Sequence, residues 1–472
     1  MKNGVRMKSM IHPKIGFLTV GGSPSVAVRG VYAREYWGED QRDKASSQLE
    51  GIGIEVVRIP EVIFSISEMT QAAQILRTAD VDLIIIYFTN IGEETLVPYL
   101  AAELPESPIL LWSNLTKTKE FPQIGIMGVI HAASNLRAAG RKFLYLLGNP
   151  DDHEATAKIL ALARGAAVAK RVRRDVVGTL SALSPGQLDP AYEETQMRRV
   201  VADVDGIDAV ELVSLYEQVA RDEAEHVAKT VLQKVGACEA DWEELVASAK
   251  TYIALKQIVK KYNLKAIAGN SRPGLMMRGI HVHLAASLLS EEGIPAHLHE
   301  HDVPAAITEL VLRYLTDLPS YTGEFNYIED LTENKSKLGH TGFSAFSLAE
   351  SPKDVRLTKF DMVRVITGRE GGVEVKFHVK PGRVTFAKLG GRAVNGALRM
   401  FIAGGQVLEP SEEMKKSSGG CYACIKPDAP IQDFLHAIIS EGVEHHLLLV
   451  HADVKAELNA FCDILGIQKI TA

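Results

Sequence analysis

At 472 residues the chain exceeds a single hydrophobic core, and roughly two to four domains of about 100 to 200 residues are expected. A net charge of −7 sets aside nucleic acid as the main partner, because phosphate binding shows as a basic field. Four cysteines cannot form a disulfide framework in so long a chain. With no signal-peptide run and no stretch near the roughly 18 apolar residues of a membrane span, a soluble, cytoplasmic protein is expected.

In chain order, the first third alternates short apolar runs with helical patterns. Ile15 to Val20, Glu55 to Ile59, Leu83 to Phe88, Ile109 to Trp112 and Phe143 to Gly148 read as strands, with helices over Ser67 to Ala79, capped by the serine, and Ile130 to Ala139. This βαβα order predicts a parallel sheet covered on both sides. Gly21-Gly22-Ser23 is not GxGxxG, so no dinucleotide site is read there. Thr89, Asn90, Ser113 and Asn114 stand at strand ends and are candidate hydroxyl binders.

The basic run Lys170 to Arg174 reads as a solvated entry into a second α/β unit, whose strands are placed at Val176 to Gly178, Ala209 to Leu212 and Leu264 to Asn270. Long helices are expected around Leu215 to Val235 and Ala240 to Tyr262, then His281 to Glu291 and Ala305 to Thr316. Beyond about residue 345 the texture becomes β-rich, with runs at Val355 to Leu357, Met362 to Ile366, Val373 to Val379 and Arg383 to Ala387 separated by Gly and Pro turns. Helices follow at Ile431 to Ser440 and Val454 to Leu465. Cys421-Tyr422-Ala423-Cys424 has no second CxxC and reads as two structural thiols.

Chemistry concentrates in Ile294-Pro295-Ala296-His297-Leu298-His299-Glu300-His301-Asp302. As a strand, this stretch would put His297, His299 and His301 on one face and Leu298, Glu300 and Asp302 on the other. Two carboxylates on one face call for a cation or a shared proton. Eight of the fifteen histidines fall in two clusters: His281, His283, His297, His299 and His301, then His445, His446 and His451. Carboxylates with imidazoles and no thiolate suit Mn²⁺, Co²⁺ or Mg²⁺ better than structural zinc. Packing or interface roles are expected for His297 and His299; His12, His131, His153, His226, His378 and His436 are assigned none. Asn270, at a polar strand exit, His340, in Gly339-His340-Thr341-Gly342, and His446 are candidate substrate contacts.

Glu300-His301-Asp302 followed by Val303 to Thr308 and a helix, the Gly339-His340-Thr341-Gly342 loop and the terminal Glu444-His445-His446 resemble the L-fucose isomerase family, within the fucose and arabinose isomerase group. The resemblance implies two Rossmann-like α/β domains (1–170 and 171–345) and a β-rich C-terminal domain (346–472). It implies Mn²⁺-dependent aldose–ketose isomerisation of a free sugar, and a homo-oligomer, trimer or hexamer, whose site is shared between subunits. Asp302 matches an acidic metal ligand that also transfers protons, Glu300 its acidic partner, and His445 the C-terminal histidine ligand. Where the family places a second catalytic glutamate upstream of the acidic strand, this sequence offers His281-Val282-His283 and no carboxylate until Glu291. His283 stands nearest by position, as ligand or acid/base group. The chemistry expected is proton movement between C1 and C2 through an enediol. A metal-dependent lyase or epimerase on a modified sugar, and a non-catalytic carbohydrate-binding homologue, are the alternatives.

Overall fold

The computed structural model describes residues 11–21, 39–89, 91–92, 94–115, 125–184, 186–416 and 419–472. The chain divides into two compact units, Ile11–Lys170 and Arg171–Ala472. Among the described residues of the first, strands Lys14–Leu18, Glu55–Arg58, Leu83–Phe88, Ile109–Ser113 and Leu144–Leu147 form one parallel sheet in the order 2-1-3-4-5. Leu83–Phe88 is buried along its whole length, as a central strand with both faces covered must be. Helix Ile66–Ala79 is capped by Ser65, not Ser67: the Ser65 side chain accepts from the Glu68 N–H while Glu68 reaches back, a reciprocal cap. Ser113 and Asn114 are buried at a strand end, where the Asn114 amide donates to Gln41. Gly22, Ser23 and Asn90 lie outside the described residues.

The second unit contains two sheets among its described residues. In the first, Ala296–His297, Ala266–Gly269, Val176–Leu180 and Asp203–Ile207 lie side by side in that order, all parallel. The second is a mixed sheet of ten strands. Six of them, Arg399–Leu408, Gly382–Leu389, Leu447–Val450, Tyr321–Asp330, Lys335–His340 and Cys421–Pro427, pair in a ring that closes on itself, every pair antiparallel. This is the β-rich C-terminal region, a small barrel packed with Tyr321, Leu338, Phe386, Phe401 and Leu449. Closure removes the open edges that such strands would otherwise expose. The first unit and the four-stranded parallel sheet, followed by this barrel, make the protein mixed α/β with a β-rich end.

Two expected strands are helices. Ala209 to Leu212 opens helix Ala209–Gln218, capped by Asp208, whose carboxylate accepts from the Val210 N–H. The strand is instead Asp203–Ile207. Met362 to Ile366 lies in helix Asp361–Thr367, which ends on Gly368 in the left-handed region. Both runs are short and mostly apolar, a pattern shared by strands and buried helical turns. The helix expected over Leu215 to Val235 is two, Ala209–Gln218 and Arg221–Lys234. Cys421 and Cys424 are free, buried thiols three positions apart in one strand, so they face opposite sides of the sheet; burial pushes both up to about 12. Among the described residues no helix is long and apolar enough to cross a membrane.

Candidate active site

The acidic segment is a strand only at Ala296–His297 and then turns. Glu300 and His301 both occupy the left-handed region, φ 61° and 63°, which costs a non-glycine residue on the order of 1–2 kcal/mol each. That turn overturns the expected alternation of faces. His301 swings to Thr179 and the Leu180 carbonyl, while His299 stays with Glu300. Glu300 and Asp302, expected on one face, approach His446 from its two ring nitrogens and otherwise have different partners.

Glu300 is buried and held from three sides. Arg272 Nη2 donates to its Oε1 at 2.8 Å, His299 Nε2 stands 3.3 Å from the same oxygen, and His445 Nε2 lies 2.9 Å from Oε2. Burial alone would raise this carboxyl; the contacts from His299, His445 and Arg272 instead hold it well below the usual range. His445 also meets Asp189, its Nδ1 at 2.5 Å from Oδ2. Burial opposes its charge, yet the two carboxylates push His445 up to about 9. Burial brings His299 down to about 3, so its imidazole is neutral at physiological pH.

Asp302 caps helix Val303–Thr316, accepting from the Ala305 N–H at 2.8 Å. Its other oxygen receives Lys388 Nζ at 2.5 Å and His446 Nδ1 at 2.8 Å, and the Asp302 and Lys388 side chains are fully buried. This fixes the His446 tautomer. With the proton on Nδ1, Nε2 keeps its lone pair, and that buried atom has no hydrogen-bond partner among the described residues. It stands 3.7 Å from Glu300 Oε2 and 3.9 Å from Glu324 Oε1.

Glu324 arrives through barrel pairing. Gly323 is opposite Leu447, one step from His446, and Glu324 itself is opposite Gly339. His340 Nε2 lies 3.1 Å from Glu324 Oε1 and its Nδ1 is 3.0 Å from Thr341 Oγ1. Burial would raise Glu324, and the His340 contact lowers it instead. Ligand atoms thus converge in three sets that share His446: with Glu300 and His445, with Glu324 and His340, and with His297 and Asp302.

The candidates read from the sequence are therefore brought together unequally. Glu300, Asp302, His445, His446 and His340 each belong to a converging set. His283 belongs to none of the converging sets: its ring packs on Phe360 at 4.0 Å between centroids, 5.6 Å from His299, and neither nitrogen has a hydrogen-bond partner among the described residues. Burial, reinforced by His299, holds it well below its ordinary value. Asn270 donates to Ser184 and lines a separate crevice with Arg272 and Arg278. His297 sits against Glu309 at 3.3 Å and edge-on to His446. Glu324, Arg272, Asp189 and Lys388 were not singled out by sequence reasoning. For Lys388 a signal existed, a lone charge within Val384-Thr385-Phe386-Ala387-Lys388-Leu389, which has to find a counter-charge when buried. Beside Glu324 and His340 opens a cavity of about 540 Å³, also lined by Lys337, Gly339, Thr341, Phe360 and Glu374.

The donor set suits a divalent cation. The orphaned Nε2 of His446, oriented by a carboxylate on its other nitrogen, is the arrangement of an imidazole ligand, and carboxylate oxygens beside imidazoles match a hard to borderline ion. Residues 338–471 match the family described as L-fucose isomerase, C-terminal domain. The sulfoquinovose isomerase of Clostridium sp. (strain MSTE9) is 24% identical over 373 residues, 76% of this chain and 80% of that protein. The sulfoquinovose isomerase of Alkalicoccus urumqiensis is 22% identical over 361 residues, 74% of this chain and 77% of that protein. Among solved structures, GanP, a glucose-galactose binding protein from Geobacillus stearothermophilus, has 14% identity and a TM-score of 0.18, covering 65% of this chain and 90% of that one, too slight a likeness to bear on fold or ligand. The likeness to the L-fucose isomerase C-terminal domain thus lies in residues 338–471, which include His340, His445 and His446, and the likeness to the two sulfoquinovose isomerases extends over about three quarters of the chain.

Proposed function

We propose that the protein is a metal-dependent aldose–ketose isomerase of a free sugar, with Glu300, His445 and His446 holding Mn²⁺ or a similar divalent ion. The observation that carries this reading is His446 Nε2, buried, unpartnered and facing Glu300 and Glu324 beside an open cavity. A bound divalent ion would polarise the sugar's carbonyl and hydroxyl oxygens and so lower the cost of negative charge developing on them.

The remaining work falls to the chain's own groups. Glu324, half exposed to the cavity and kept ionised by His340, takes the proton from C2 and returns it to C1 on the same face of the enediol. One C–H bond breaks and one forms; the oxygen-bound proton lost at O2 is matched by one gained at O1, with His340 as the adjacent proton carrier. Asp302 acts through His446, fixing its tautomer, and does not itself reach the sugar. Arg272 and His299 hold the Glu300 carboxylate in place. The family resemblance extends the proposal to a cytoplasmic homo-oligomer, trimer or hexamer.

Two variants separate holding the ion from moving the proton. His446→Ala is expected to lose bound Mn²⁺ in elemental analysis. Glu324→Gln is expected to keep it and to lose about 10²–10⁴-fold in kcat. Ketose formed in D₂O by the wild type should carry deuterium at C1, in proportion to proton exchange at Glu324. No ketose from any aldose, or full turnover in Glu324→Gln, would refute the assignment.

A further inference from the structure

The cavity beside the candidate site has a charged wall that isomerisation leaves unused. Lys337 is 5% exposed and is one of the residues that line this space. No carboxylate among the described residues lies within ion-pair distance of it. Two aromatic rings lie beside it, with Nζ 5.5 Å from the Tyr327 ring centroid and 5.5 Å from that of Tyr422. Ring faces compensate an ammonium only in part, so a buried cation held this way retains most of its demand for an anion. Burial lowers the lysine's pKa and the neighbouring Lys376 lowers it further, so a second positive charge acts on the same spot. An arriving anion reverses both effects.

Register relates Lys337 to the reacting groups. Glu324 is opposite Gly339, and Lys337 is two residues along the same strand, hence on the same face about 7 Å away. That is the scale of a six-carbon sugar. Gly339 carries no side chain, and the Asn326 side chain, which also lines the cavity, lies over it, its Oδ1 1.9 Å from where a Cβ would stand. Asp361 and Glu374 line the cavity too, but Glu374 accepts the Gly342 N–H and is pushed up to about 6 by burial, which weakens its competition for the lysine.

We propose that Lys337 anchors an anionic group at the end of the sugar remote from its carbonyl, so that the substrate is an acidic aldose bearing a sulfonate, phosphate or carboxylate. This rests on the isomerase reading for which end of the sugar faces Glu324, and it makes Lys337 a specificity residue of the same site.

The test is calorimetric binding of sulfoquinovose, glucose 6-phosphate, glucuronate and glucose to the Mn²⁺-loaded protein, with ketose formation followed in parallel. At least one acidic sugar should bind the wild type about tenfold or more tighter than glucose. Lys337→Met should erase that preference, weakening the acidic sugar by about ten- to a hundredfold and glucose by less than about twofold, as for one hydrogen bond to a charged group. Lys337→Arg should retain part of the preference and shows that the pocket still folds. Which acid is preferred identifies the anionic group. Equal affinity for glucose and every acid, no binding of any acid, or an equal loss for all ligands in Lys337→Met would overturn the proposal. Anion-selective binding lost in Lys337→Met but without any ketose would leave the anchor standing and remove the isomerase reading.

Discussion

Asp302 serves three partners with two oxygens: a helix N–H, a lysine and a histidine that faces Glu300 and Glu324. Because Asp302 and Lys388 are fully buried, removing one charge strands the other. Asp302→Asn should therefore destabilise the protein by about 3–5 kcal/mol, whereas Asp302→Asn with Lys388→Met should recover most of that loss, since an apolar substitute needs no counter-charge. Denaturant unfolding of the two single variants and the double measures the coupling. A double variant as unstable as Asp302→Asn would show that the helix cap, not the ion pair, dominates. The acidic pair and the terminal histidines were legible because such residues are rarely packed together without purpose. Their contacts were not, because the lysine that pairs with Asp302 lies 86 positions away.

At the scale of elements, the sequence carried the helix that follows Asp302, with its capping aspartate and a proline in the first turn. It did not carry the turn before it, because nothing in Glu300-His301 announces a left-handed backbone. Strand Val373–His378 shows what local pattern also leaves open. It pins the loop that positions His340: Val375 N–H donates to the Gly342 carbonyl at 3.0 Å, and the Gly342 N–H donates to Glu374 at 3.1 Å. Burial raises the Glu374 carboxyl from its ordinary 4.5 to about 6. The folded state therefore binds this proton more tightly than the unfolded chain does. The stability it contributes is complete below about pH 4.5 and falls as pH rises through about 6, by about 2 kcal/mol in all. Glu374→Gln keeps an oxygen for Gly342 and should flatten that segment of the curve while stabilising the protein at pH 7. An unchanged slope between pH 4.5 and 6, measured by unfolding at a series of pH values, would refute the assignment.

For the whole molecule, the closing of six strands into a barrel is what sets Glu324 against His446 and brings both to Glu300 at the end of the parallel sheet. Chain order shows no such closure, since the ring depends on Arg399–Leu408 pairing with both Gly382–Leu389 and Cys421–Pro427. Glu324 therefore lay in a stretch, Tyr321–Asp330, for which no element was read from the sequence. The same architecture links the site to stability. Glu300 follows a strand of the parallel sheet and His445 and His446 precede a strand of the barrel, so they meet only when both are formed, and an ion held by all three binds the folded chain and not the unfolded one. At 100 times its dissociation constant, Mn²⁺ should add about 2.7 kcal/mol to unfolding free energy, and chelation should remove it. Hydrogen exchange should show the gain as protection of the Tyr321–Asp330 and Leu447–Val450 strands that flank the site. In His446→Ala both the Tm shift and this protection should vanish, because the unpartnered nitrogen around which the ligand set is built is gone. If Mn²⁺ raised the Tm of that variant as much as the wild type's, the ion would be bound elsewhere and the histidine would be a packed core residue beside Asp302.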